Sequence, residues 1–315
     1  IVGGGTPAAI NNYETYDGTD YSNGPTLNQA RFGAAAVGTS TAGLCFGGYY
    51  DPGGTNGSTN SEEYDGTGWT ATPSLGTARY HVSGAGTATA SVVFGGNIPA
   101  RKNETEEYNG TTWAEQNNLG TARFSSGGFG IQTAAVYSSG QDATGVNART
   151  EEYDGTSWTT GNNPSTVRAD VGTAGTLTAG AIFGGQSPGP TSRNQTEEYD
   201  GTNWTSGGNL NNARAQVGGS GTQTAAIVFG GRFTPPGTVL REFTEQYDGT
   251  SWASSASLAV AKRQLSSGRG SDGSAGNNSA IAIGGKSGQS PNIRAECEEF
   301  TGETTGLGFS TITTS

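Results

Sequence analysis

TEEYDGTSWTTGNNPSTVRADVGTAGTLTAGAIFGGQ, residues 150–186, decides the fold, because nearly the same order of residues stands before and after it. Its recognisable core is Tyr-Asp-Gly-Thr-x-Trp. That core returns at Tyr64–Trp69, Tyr153–Trp158, Tyr199–Trp204 and Tyr247–Trp252, and at Tyr108–Trp113 with Asn109 in place of Asp. Tyr16–Tyr21 is a weaker first copy and Phe300–Phe309 a stretched last one, which makes seven anchors 44 to 53 residues apart. Repeats of that length point to a solenoid or a propeller. A glycine pair precedes each anchor: Gly3-Gly4, Gly47-Gly48, Gly95-Gly96, Gly184-Gly185, Gly230-Gly231 and Gly284-Gly285, with Ser138-Ser139 in the fourth unit.

Each unit reads as four short strands. In the sixth, ARAQVGGSG from Ala213 is a first strand whose glycines suit crowding near an axis, and TAAIVFGG from Thr224 is an apolar run expected of a strand covered on both faces. TEQY ending at Tyr247 and TSWA from Thr250 form a hairpin around Asp248-Gly249, a dipeptide that tolerates the positive φ of a tight turn. No helical period runs through the chain. The expectation is an all-β, seven-bladed β-propeller of four-stranded antiparallel blades, a single domain over residues 1–315 anchored at Tyr16, Tyr64, Tyr108, Tyr153, Tyr199, Tyr247 and Phe300. The first unit lacks its first strand, so either residues precede Ile1 or the C-terminal GFSTITTS completes that blade.

A hydrophobic strand ending in Gly-Gly, followed by a spaced Tyr and Trp, resembles the kelch repeat, and the resemblance covers almost the whole chain. The phrasing EEYDGTSW, then AR, then FGG also resembles kelch-like virion structural proteins of marine tailed phages, the tail fibre and decoration class. The resemblance implies a propeller whose ring closes by strands shared between the two termini. It further implies virion or extracellular localisation, other virion or assembly proteins as partners, and a cell-surface glycan or protein receptor as ligand.

Composition bounds the remaining readings. Among the 315 residues, large aliphatics are scarce, 55 are glycine, and 12 Tyr and 5 Trp recur at regular places, as expected of closely packed sheets with aromatic pegs between them. No run of 18 apolar residues occurs, so no membrane insertion is expected. The net charge of -11 and the dispersed cations argue against nucleic acid. The chain opens at Ile1 and contains no Met, which reads as processing or trimming. Cys45 and Cys297 are too few for a disulfide framework. The Asn-x-Ser/Thr triplets match chance in so Asn-rich a chain, and glycine clusters without a following helix exclude a phosphate cradle.

Two sets of residues stand out. A glutamate stands two residues before every anchor, at Glu14, Glu62, Glu106, Glu151, Glu197, Glu245 and Glu298, and a cation opens each first strand, at Arg31, Arg79, Arg123, Arg168, Arg214 and Lys262. A bidentate structural ion pair between strands or adjacent blades is expected, since a buried charge needs a matched partner. The other set lies in the loops between second and third strands, which differ in every unit while the Asp-Gly turns stay uniform. The candidate ligand residues there are Tyr49, Tyr50, Arg101, Lys102, Arg149, Arg193, Arg232, Phe233, Arg241, Lys286 and Arg294, and they include half of the 16 basic residues. They suit acidic sugars or an acidic partner surface.

Catalytic and metal sites are not expected, nor is a cofactor. His81 is the only histidine, too few for a copper centre or a convincing triad, and reads as a strand residue. The expected function is therefore a non-enzymatic structural and recognition propeller. A kelch-type sugar epimerase and an intracellular protein-binding scaffold are the alternatives.

Overall fold

The computed structural model describes residues 14–16, 21–23, 25–39, 41–50, 57–189, 191–234, 237–268, 279–287 and 293–301; in 14–16, 21–23, 266–268, 279–282 and 293–301 the backbone alone is described. Five successive units form five four-stranded antiparallel blades, each with its strands in sequence order. Blade I comprises Ala35–Thr39, Ala42–Phe46, Ser61–Tyr64 and Trp69–Thr72. Blade II comprises Ser83–Gly86, Ser91–Phe94, Thr105–Tyr108 and Trp113–Gln116. Blade III comprises Gly127–Ile131, Ala134–Ser138, Thr150–Tyr153 and Trp158–Gly161. Blade IV comprises Gly172–Thr176, Ala179–Phe183, Thr196–Tyr199 and Trp204–Ser206. Blade V comprises Gly218–Thr222, Ala225–Phe229, Thr244–Tyr247 and Trp252–Ser255.

Burial falls from the first strand of a blade to the fourth. First and second strands are almost wholly buried, third strands bury all but the second Glu or Gln, and fourth strands are largely exposed beyond their Trp. This gradient explains the composition: strands near the axis take Gly, Ala and Ser because neighbouring backbones approach closely, and Phe46 and Phe94 fill the wider gaps farther out.

The repeated glutamate and arginine meet inside a blade. Arg79 Nη2 lies 2.6 Å from Glu106 Oε1, Arg123 Nη2 3.0 Å from Glu151 Oε1, Arg168 Nη2 2.8 Å from Glu197 Oε2 and Arg214 Nη2 2.8 Å from Glu245 Oε1; Arg31 pairs likewise with Glu62. The contact is not the bidentate one expected. One guanidinium nitrogen takes the carboxylate, and the other donates to the carbonyl of the first residue of the glycine pair and to a third-strand approach carbonyl, as Arg168 Nη1 does to Gly184 and Gln195. The carboxylate in turn accepts N–H groups of the chain entering from the previous blade, as Glu106 does from Gly76 at 2.7 Å. Each pair thus ties three segments of backbone together. The side chains of Glu14 and Glu298 lie outside the described residues.

The glycine pair has a conformational cause. Its two residues both take positive φ, 65° and 96° at Gly184 and Gly185, so that their N–H groups reach carbonyls in two different segments, Gln195 and Arg214. In blade III the same conformation belongs to Ser139 and Gly140, with φ of 64° and 100°, so the equivalence read at Ser138-Ser139 moves by one residue.

Blades interlock through their anchors. The Tyr153 hydroxyl donates to Glu107 of the preceding blade at 3.0 Å, Tyr247 donates to Glu198 at 2.7 Å, and Tyr199 donates to Glu152. Edge-to-face contacts repeat the direction: Trp113 on Phe46 at 5.2 Å, Trp158 on Phe94 at 4.9 Å and Trp252 on Phe183 at 5.0 Å. So the phrase Glu-Glu-Tyr uses its first carboxylate within a blade and its second to receive the next.

The expected seven blades are corrected to five. The first and last of the seven anchors fall in one sheet, whose order is Tyr21–Asn23, Glu14–Tyr16, Ile293–Thr301, Ser279–Ser287 and then both Lys262–Arg263 and Ser266–Gly268. Glu14–Tyr16 runs parallel to Ile293–Thr301, with Glu14 opposite Glu298. Ser266–Gly268 packs between the first strands of blades V and I and closes the ring. Five anchors thus head the five blades, while Tyr16 and Phe300 share this one composite sheet and head no four-stranded antiparallel blade of their own. GFSTITTS, Phe309 and Gly3-Gly4 lie outside the described residues. Cys45 is buried beside Ile283; the Cys297 side chain is outside the described set.

Candidate functional site

Two residues after the repeat cation, in each of the five blades and in the composite sheet, the chain takes a left-handed conformation. The residues are Gly33, His81, Ser125, Asp170, Gln216 and Gln264, with φ between 51° and 62°. Their backbones form a closed circle: His81 N–H donates to the Gly33 carbonyl at 2.6 Å, Ser125 to His81 at 3.4 Å, Asp170 to Ser125 at 2.8 Å, Gln216 to Asp170 at 2.9 Å, Gln264 to Gln216 at 2.9 Å, and Gly33 back to Gln264 at 3.2 Å. The six residues line a cavity of about 90 Å³ at the centre of this circle. His81 is thus a mouth residue, not the strand residue expected. A second cavity of about 100 Å³ runs between the first strands of the five blades and Leu265, lined by small residues such as Ala36, Gly84, Gly127 and Thr173.

The surroundings of the mouth are asymmetric. On one side Phe32, Tyr49, Tyr80, His81 and Phe124 form a continuous aromatic series, with ring centroids 5.1, 5.5, 4.6 and 6.0 Å apart in that order. Tyr49 pairs in backbone with Phe32, and Phe124 with Gln141. On the other side stand Asp170, Gln186, Gln216, Arg232, Arg263 and Gln264. Gln216 Oε1 accepts from Arg232 Nε at 2.9 Å and from Arg263 Nη1 at 3.2 Å, and Arg232 also donates to Thr234 at 2.9 Å and to Gln186.

His81 joins the two halves. The Gln264 amide nitrogen stands 2.7 Å from Nε2 and Ser125 Oγ stands 2.6 Å from Nδ1, so both ring nitrogens have a hydrogen-bond partner. Burial holds the pKa of His81 below its ordinary 6.5; Asp170 raises it and Arg263 lowers it. The neutral form is therefore the folded form. The unfolded chain binds a proton near pH 6.5 that the folded chain refuses, so this contribution is full above 6.5 and declines as pH falls below it. Denaturant titrations between pH 7 and 5 should show that decline in the wild type and a shallower one in His81→Gln; equal slopes would remove His81 as the cause.

Of the loop residues expected to bind ligand, the structure brings Tyr49, Arg232 and Lys286 around the mouth. Lys286 Nζ stands 5.4 Å over Phe32, and Arg101 holds the rim 5.8 Å over Phe124. Others are turned to local use. Lys102 pairs with Glu104 at 3.4 Å, Arg149 pairs with Asp142 at 3.1 Å, and Arg241 stacks near Phe233 and Phe243. Tyr50 is exposed and Arg193 is half-buried; the Arg294 side chain lies outside the described residues. Phe32, Tyr80, Phe124, Asp170, Gln216, Arg263 and Gln264 were not singled out from the sequence. Their signal lay in plain view, as the one or two residues after the repeat cation, which change in every unit beside a constant neighbour. Among the described residues no group of three or more His, Cys, Asp and Glu is placed to hold a metal.

No family model matches the chain, and no curated protein matches it. Among solved structures it is similar to one titled "Structure of YjhT", at 14% identity and a TM-score of 0.69, over 87% of this chain and 95% of that one. The likeness carries the β-propeller fold.

Proposed function

We propose that the chain is a non-enzymatic, kelch-like recognition propeller that binds a glycan at its axial mouth. The observation that supports this reading is the division of the mouth into an aromatic side, from Phe32 to Phe124, and a side of amides and guanidiniums around Gln216. A sugar ring has an apolar face that packs on aromatic carbon and an equatorial rim of hydroxyls that needs donors and acceptors. Rigid aromatics and shared hydrogen bonds lower the ordering cost of binding such a ligand.

The mouth and the variable loops share one face, because first strands begin and second strands end there. The Asp-Gly turns occupy the other, where each aspartate is spent on its own turn, as Asp154 Oδ1 is on Thr156 and Ser157. A uniform face suits attachment and a variable one suits recognition. On that reasoning the propeller is displayed on a virion or other extracellular assembly with its mouth outward.

A glycan array followed by calorimetry tests the binding. Tyr80→Ala should weaken the best array ligand at least tenfold with the melting temperature little changed, since Tyr80 is partly exposed. Binding that survives both Tyr80→Ala and Tyr49→Ala unchanged would place the ligand elsewhere. Electron microscopy of the source particle tests the display.

A further inference from the structure

We infer that the glycan is acidic, and that Arg232 and Arg263 hold its carboxylate beside Gln216; this rests on the glycan reading of the mouth. Arg232 and Arg263 belong to different sheets, yet their guanidiniums converge on one amide oxygen, at 2.9 and 3.2 Å. Neither makes a salt bridge among the described residues. That contrasts with the five repeat arginines, each of which has its own glutamate.

Two half-buried like charges sharing a neutral acceptor repel one another, and an oxyanion placed between them would offset that cost. A guanidinium carries five N–H donors; Arg232 spends three of them on Gln216, Thr234 and Gln186, and Arg263 spends one. Burial lowers the pKa of Arg263, its neighbour Arg232 lowers it further, and Asp170 opposes both.

Cations gather around the mouth of an acidic chain. Asp170 lines the cavity itself, Arg232 and Arg263 stand beside its lining residue Gln216, and Lys286 and Arg101 stand over Phe32 and Phe124, in a protein that carries -11. A patch of this kind in an acidic protein draws anions to one place and repels them elsewhere. The aromatic side supplies the sugar platform, and Asp170 and the amide oxygen of Gln264 are left to meet hydroxyls.

The test uses trisaccharides of galacturonate, glucuronate and mannuronate, each beside its methyl ester, titrated into the whole chain by calorimetry. At least one acid should bind at least tenfold more tightly than its ester. Arg263→Gln and Arg232→Gln should each bring the acid-to-ester affinity ratio to within about twofold of one, whatever their effect on the ester affinity itself. Equal affinity for acid and ester, or an acid preference untouched by both substitutions, would overturn the inference and leave the glycan reading standing. Inorganic sulfate that binds as tightly as the best acid would overturn it in favour of a free-anion site. If no acid, ester or neutral array sugar binds, both readings fall together.

Discussion

Replacing Arg168 with alanine lowers the unfolding free energy by about 3–5 kcal/mol, the cost of removing one partner from a buried ion pair. Arg168 is fully buried and Glu197 nearly so. Burial pulls the arginine down to about 10, against the opposing pull of Glu197, so the group is still charged at neutral pH. Alanine leaves the Glu197 carboxylate in low dielectric with only the Ser165 donors. It also strips a donor from the carbonyls of Gly184 and Gln195, which come from two other segments. Arg149→Ala is the control. Its side chain is 54% exposed on Asp142, and an exposed pair contributes at most about 1 kcal/mol. Equilibrium denaturation of both variants decides the matter, and a loss below about 1 kcal/mol for Arg168→Ala would remove the pair from the account of stability.

The second large effect falls on the glycine near the end of each first strand. Gly38, Gly86, Gly130, Gly175 and Gly221 all have φ between 96° and 115°, a region that side chains rarely enter. A Cβ at Gly175 would run into the carbonyl oxygen of Ala179 on the paired strand, and backbone held in a ladder cannot step aside. Gly175→Ala should cost about 1–3 kcal/mol from the backbone strain alone, with the clash added. Gly189→Ala, at a loop position where nothing lies near the added carbon, should change stability by no more than about 0.5 kcal/mol. Equal melting temperatures for the two variants would refute the argument.

Much of the scaffold could be read from the residues themselves. The hairpin at Asp154-Gly155, the apolar second strand and the pairing of Arg168 with Glu197 have counterparts in every blade, and each depends on neighbours within one unit. The mouth was harder to see. Arg232 and Arg263 are far apart in the repeat frame, one after a glycine pair and one after a repeat cation, and only the ring sets them on the same amide of Gln216. Lys102 and Arg149 looked equivalent to Arg232 as loop cations, but local carboxylates claim them.

The sequence by itself determined the blade: four strands, their turns, the internal ion pair and the aromatic that docks on the neighbour, all set by interactions between residues a few tens of positions apart. Only the tertiary structure decided how many blades there are and what stands at their centre. Closure sets Ser266–Gly268 between the first strands of blades V and I and Glu14–Tyr16 beside Ile293–Thr301, contacts between distant parts of the chain that no local pattern encodes. The circle of six left-handed residues exists only once that closure has brought Gly33 to Gln264. Backbone twist and packing fix the angle between sheets, and that angle, summed around the axis, sets the number the repeats alone could not.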